Sequence, residues 1–184
     1  MKILAVTAMS AVLMIGTIAC SNNSTPKQMG SKNTNKLDDS QIKNNLKQAN
    51  LGDVKVDVNN DKKVVTLSGD VKNDAAKQQA EDIARSNANG YVVANEVGVR
   101  PDNDTNAKKV DSNTDDAIKA RWKALEAENN WGNQHIRTSV KNGVLTLKGD
   151  VDTPAQRETV ERSAAKIDGV QQVVNELSVK NASR

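Results

Sequence analysis

The chain contains no phenylalanine, one tyrosine and two tryptophans. Any core must therefore be built from Val, Ile, Leu and Ala. With so few large side chains, two small domains are the expectation rather than one large core. A single cysteine excludes an intrachain disulfide, so the folded regions depend on packing alone. A single histidine, His135, excludes a histidine-based metal cluster. There is no glycine-rich phosphate loop, no second thiol and no serine beside a credible base. These absences point to a protein that is not an enzyme and has no cofactor, metal or small-molecule substrate. The net charge is only +3, and Lys/Arg and Asp/Glu nearly balance at 26 and 23. No concentrated basic face is left for nucleic acid.

What is present begins with the cysteine. Met1-Lys2 is followed by an uncharged apolar stretch, Ile3 to Ile18, and Ala19-Cys20 closes it. The stretch has the length of a signal h-region and is shorter than the roughly 20 residues that span a bilayer. Residues 1–20 are expected to be a signal peptide with a lipoprotein cleavage site before Cys20, whose thiol becomes acylated. Thr17-Ile18-Ala19 also forms a small-x-small site for ordinary signal cleavage, which would leave a soluble periplasmic protein. Residues 21–38 are rich in Ser, Asn and Lys, the composition of a flexible tether.

The remainder is a duplication. Val65-Thr66-Leu67-Ser68-Gly69-Asp70-Val71 recurs eighty positions later as Leu145-Thr146-Leu147-Lys148-Gly149-Asp150-Val151. Asn95-Glu96-Val97-Gly98-Val99 recurs at the same offset as Asn175-Glu176-Leu177-Ser178-Val179. Residues 39–100 and 114–180 are therefore expected to be two copies of one domain, joined by a linker over 101–113.

Each copy predicts helix, strand, strand, helix, strand. Ile42, Leu46 and Ala49 share a helical face in the first copy, and Asp115 and Asp116 can cap the equivalent helix in the second. Val54, Val56 and Val58 alternate as in a half-buried strand. Asn142-Gly143 is a tight hairpin signal. Asn73 and Thr153-Pro154 open the second helix, where Pro at the first turn lacks only a donor the helix does not use. Gly69, Gly149 and Gly169 are assigned as structural turn residues. The expected class is α+β: two tandem αββαβ domains, each a three-stranded mixed sheet with both helices on one face and a right-handed strand-helix-strand crossover.

Gly-Asp-Val before a helix, Asp168-Gly169-Val170 before the last strand, and Asn-Glu-Val or Asn-Glu-Leu within it together resemble the BON domain family. Two copies behind a lipidated cysteine are similar to the dual-domain outer-membrane lipoproteins and periplasmic osmotic-stress proteins of that family. Copy one departs from the pattern at Asn89-Gly90-Tyr91, and its first helix is short. The resemblance implies a non-enzymatic protein that binds phospholipid surfaces and supports envelope integrity or osmotic-stress tolerance. Ser21 after the cysteine implies outer-membrane sorting.

For lipid contact the candidates are Lys119, Arg121, Trp122, Lys123 and Trp131. A Trp among cations suits the headgroup zone of an anionic phospholipid membrane. Ile118, Trp122 and Leu125 also share a helical face, and Trp122 and Trp131 align with Leu46 and Leu51, so the same rings equally suit a core. The competing partner is an envelope protein docking on a sheet edge or helix face.

Overall fold

The computed structural model describes residues 36–102 and 104–180. Cys20 and most of the expected tether lie outside the described residues. At the tether's end, Leu37 packs against the first core, and its N–H donates to Asn60 Oδ1 at 2.7 Å and to Tyr91 Oη at 3.2 Å. An apolar side chain with a core to join holds the backbone there.

The first domain comprises α1 (Ser40–Gln48), β1 (Lys55–Asn59), β2 (Val64–Val71), α2 (Asp74–Asn87) and β3 (Val92–Val99). The second comprises α3 (Ala107–Glu128), a 3-10 turn at Trp131–Asn133, β4 (Ile136–Lys141), β5 (Val144–Val151), α4 (Pro154–Ala164) and β6 (Gln172–Val179). The sheets have the orders β1-β2-β3 and β4-β5-β6, with the first pair antiparallel and the second parallel in each. Leu67 faces Asn95 and Leu147 faces Asn175, so the duplicated motifs occupy equivalent register. The mixed α+β arrangement is the expected one.

Both helices of each domain cover one sheet face. Ile42 and Leu46 of α1 and Ala80 and Ala84 of α2 bury against Val65, Leu67, Val93 and Val97. Because Ala80 and Ala84 project no further than a methyl, α2 lies close on the sheet. In α4, Thr153 and Gln156 form a capping box, with Pro154 opening the first turn.

Three expectations need correction. The linker is helical from Ala107, since no Gly or Pro interrupts the chain from there to Glu128. Asp104 Oδ1 accepts the N–H groups of Asn106 and Ala107 at 2.8 and 3.1 Å, starting the helix early. Asp115 consequently sits inside α3 and cannot cap it. Gly69 and Gly149 lie inside β2 and β5 rather than in turns at their exits. Their φ values of 116° and 117° suit glycine, and the carbonyls of Asp53 and His135 lie so close that a Cβ would stand 2.8 Å from the first and overlap the second. Gly169 does sit in the turn before β6, with φ 89°.

The faces away from the helices pack on each other. Val64, Ala94, Val144 and Val174 form a third buried cluster, two residues from each domain at equivalent positions. β6 runs across the first sheet: Gln172 meets β3, Val174 meets Ala94 and Val64, Glu176 reaches Asn59 of β1, and Ser178 meets Lys62. β3 makes the reciprocal crossing, with Glu96 near Lys141 of β4 and the Glu96 carbonyl accepting from Asn142. The two domains are thus related by an approximate twofold, with strands of one sheet crossing those of the other.

Candidate functional site

α3 carries most of the residues singled out for lipid contact, and the fold separates them. Trp122 is 2% exposed and Trp131 is 7% exposed. Their rings stack with centroids 5.9 Å apart in the core that holds Ile118, Leu145 and Val160. Asn130, in the left-handed region at φ 54°, turns the chain back so that Trp131 reaches that core. The tryptophans therefore take the core alternative. They occupy the places that Leu46 and Leu51 hold in the first core.

The three cations remain exposed, on different flanks of the helix. Arg121 faces α4, where Leu125, Ser163, Lys166 and Ile167 complete a cleft of about 210 Å³. Two cations and a hydroxyl there surround an apolar floor. Lys119 faces the other way, into a cleft of about 330 Å³ that holds Arg100, Lys108 and Lys141 together with Asp70, Asp111 and Asp115. Its Nζ pairs with Asp116 Oδ1 at 3.0 Å. Lys123 is exposed and lines neither cleft. The cations are thus divided between flanks, and on the Lys119 side aspartates balance them.

Several polar residues that the sequence reading did not single out as functional organise this surface. Both Asp115 oxygens accept backbone N–H groups of the β4–β5 hairpin, from Asn142 and Gly143, each at 2.9 Å. A carboxylate buried mid-helix thereby pins the tight turn onto α3. Arg100 joins the domains: its Nη1 donates to Asp111 Oδ2 at 2.5 Å and to the Val99 carbonyl at 2.8 Å, while Asp70 lies 3.4 Å from Nε. The spacing of Asp111, Asp115, Ile118, Trp122 and Leu125 is a helical stripe, and that periodicity was the available signal for both acids.

The recurring Asn-Glu pair divides its work between two faces. Asn95 Nδ2 donates to Glu81 Oε2 at 3.0 Å and to the Lys77 carbonyl at 3.1 Å, and its Oδ1 accepts from Val97 N at 3.4 Å. Asn175 repeats this with Glu161 at 2.7 Å and Leu177 N at 3.1 Å. Each Asn ties an edge strand to the helix above it. Each Glu points the other way, into the seam. Burial between the sheets pushes the Glu96 carboxyl above its ordinary value, against the pull of Lys141 and Lys148.

Among the described residues no group of three or more His, Cys, Asp or Glu is placed to hold a metal ion, and no helix is long and apolar enough to cross a membrane. His135 is exposed beside the second sheet.

The sequence profile of the BON domain matches residues 38–101 and 114–181. The chain is 33% identical over 153 residues to the osmotically-inducible protein Y of Escherichia coli (strain K12), covering 79% of this chain and 75% of that protein. Two solved structures of CdsD, described as a structural protein of the type III secretion system of Chlamydia trachomatis, align at 17% identity over 73% of this chain, with TM-scores of 0.31 and 0.30. The alignments span 57% and 60% of those chains, and likeness at that level says nothing of function.

Proposed function

The chain belongs to the BON-domain family, and from that premise we propose that it is a non-enzymatic envelope protein whose paired domains bind the surface of phospholipid membranes in osmotic-stress tolerance. The observation that carries the reading is the exposed cationic surface of α3: Lys119, Arg121 and Lys123, with the Arg121–Ser163–Lys166 cleft beside them. A shallow cleft with two cations, a hydroxyl and an apolar floor suits a phosphate headgroup. The buried tryptophans take no part, so attachment through this surface is peripheral and electrostatic. Firmer attachment falls to Cys20, acylated after export and sorted to the outer membrane, which places the domains in the periplasm. The name of the Escherichia coli relative supports the link to osmotic stress.

Co-sedimentation of the non-acylated protein with liposomes tests this. Anionic vesicles should bind it, zwitterionic ones should not, and raised salt should release it. Combined reversal of charge at Lys119, Arg121 and Lys123 should abolish binding. Failure to bind any vesicle overturns the reading and leaves an envelope adaptor that works through protein partners.

A further inference from the structure

The approximate twofold supplies an internal comparison between two sheet edges. β3 and β6 each pair with one neighbour, so each has an outer edge. On β3 that edge is capped at Val93–Asn95 by one side chain from the other domain. Gln172 Nε2 donates to the Val93 carbonyl at 2.7 Å, and Gln172 Oε1 accepts from Asn95 N at 3.2 Å. An amide side chain thus imitates a passing strand.

The residue at the equivalent position of the first domain is Val92. It has neither donor nor acceptor, and it is 49% exposed, one of the two large apolar side chains exposed among the described residues. The matching groups on β6, the Val173 carbonyl and Asn175 N–H, therefore lack the amide cap their counterparts have, while the Asn175 carbonyl beside them accepts from Arg157 Nη2 at 3.4 Å, a long bond that an incoming strand would displace. Val92 lies on the same face of β3 as Ala94, a member of the buried seam with Val64, Val144 and Val174. Val92 thus stands on the seam-facing side of β3, one step beyond Ala94, and is half exposed.

We propose that the outer edge of β6 at Val173–Asn175, floored by Val92, is a docking site for an extended polypeptide segment of a partner protein. The chemistry specifies the occupant. An acceptor at Val173 and a donor two residues on at Asn175 match the backbone of a strand, and a side chain pointing down from that strand meets Val92 and must be apolar. Strand addition supplies main-chain hydrogen bonds, and the covered apolar contact extends a seam the molecule already has. This inference stands apart from the lipid reading, because it uses neither α3 nor the cationic clefts.

The test uses the non-acylated protein and a fluorescent decapeptide of alternating Thr and Val. Its twin is N-methylated at the positions that would donate to β6. The parent peptide should raise anisotropy on binding and shift the backbone amide resonance of Asn175, and the methylated twin should do neither. Val92→Gln, which installs the cap found on the other edge, should weaken binding at least about tenfold. Gln172→Val should open the first edge and add a second site, seen at the Asn95 amide. No binding by the wild-type protein, or equal binding by Val92→Gln or by the methylated peptide, overturns the proposal. So does self-association abolished by Val92→Gln, which would make a second copy the occupant.

Discussion

Lys141 Nζ lies 3.7 Å from Glu96 Oε2, across the seam between the two domains. Its twofold counterpart is Asn59 Nδ2, 3.5 Å from Glu176 Oε2. The duplicated Asn-Glu motif thus puts a carboxylate of each domain against the first strand of the other, while its asparagine stays at home on the helix. The partner across the seam is charged for Glu96 and neutral for Glu176, whose cation is Lys148 of its own sheet at 3.6 Å.

Glu96 provides the pH dependence. Its carboxyl is held above the ordinary value by burial, so the folded state keeps a proton that the unfolded chain releases. Stability from this group is present at and below the ordinary carboxylate range and is lost as pH rises through the raised value. Glu96→Gln should flatten that fall. Thermal unfolding from about pH 4 to 7, wild type against variant, should give curves that converge at the acid end. Parallel curves would refute the assignment.

Asp115→Ala should strand the N–H groups of Asn142 and Gly143. A buried donor without a partner costs about 1–3 kcal/mol. Urea unfolding should show a loss of that order, and amide exchange should speed up at those two positions. Asp116→Ala, one residue along but exposed, should stay within about 0.5 kcal/mol of wild type.

Gly149→Ala and Gly69→Ala separate in a definite order. Both positions hold positive φ, which costs an L-residue about 1–3 kcal/mol. The Cβ at residue 149 would also overlap the His135 carbonyl outright, whereas at residue 69 it would stand 2.8 Å from the Asp53 carbonyl. Denaturant midpoints should fall further for Gly149→Ala. Gly132→Ala meets nothing within 4 Å and should be near neutral.

Trp122→Ala should cost about 3–5 kcal/mol, the range for a core aromatic. Its effect on liposome binding should vanish once binding is measured on folded protein. Arg121→Ala should behave in the opposite way, with little change in urea midpoint and weaker binding to anionic vesicles.

The duplication, the order of elements in each copy and the hairpin at Asn142-Gly143 were legible in the sequence because each rests on local physics. Alternation of Val places a strand face, Asn-Gly accepts positive φ, and Thr-Pro opens a helix whatever surrounds it. The extent of α3 was less legible. Residues 107–113 look like linker by composition, and it is the docking of Asp111 on Arg100 that makes the helix useful there. The candidate site was legible only in part: the cations of α3 could be named, but their facing could not. Whether Trp122 meets lipid or core depends on what lies beneath the helix, and that is settled by Trp131, Leu145 and Val160 from three other segments. The seam escaped sequence reading altogether. A strand pattern says which residues share a face, whereas the partner of that face is chosen by packing between sheets remote in sequence. Composition and periodicity thus determined two αββαβ units built from small aliphatic side chains. Only the tertiary structure decided that they pack across one another, that Gln172 closes one edge, and that Val92 leaves the other open.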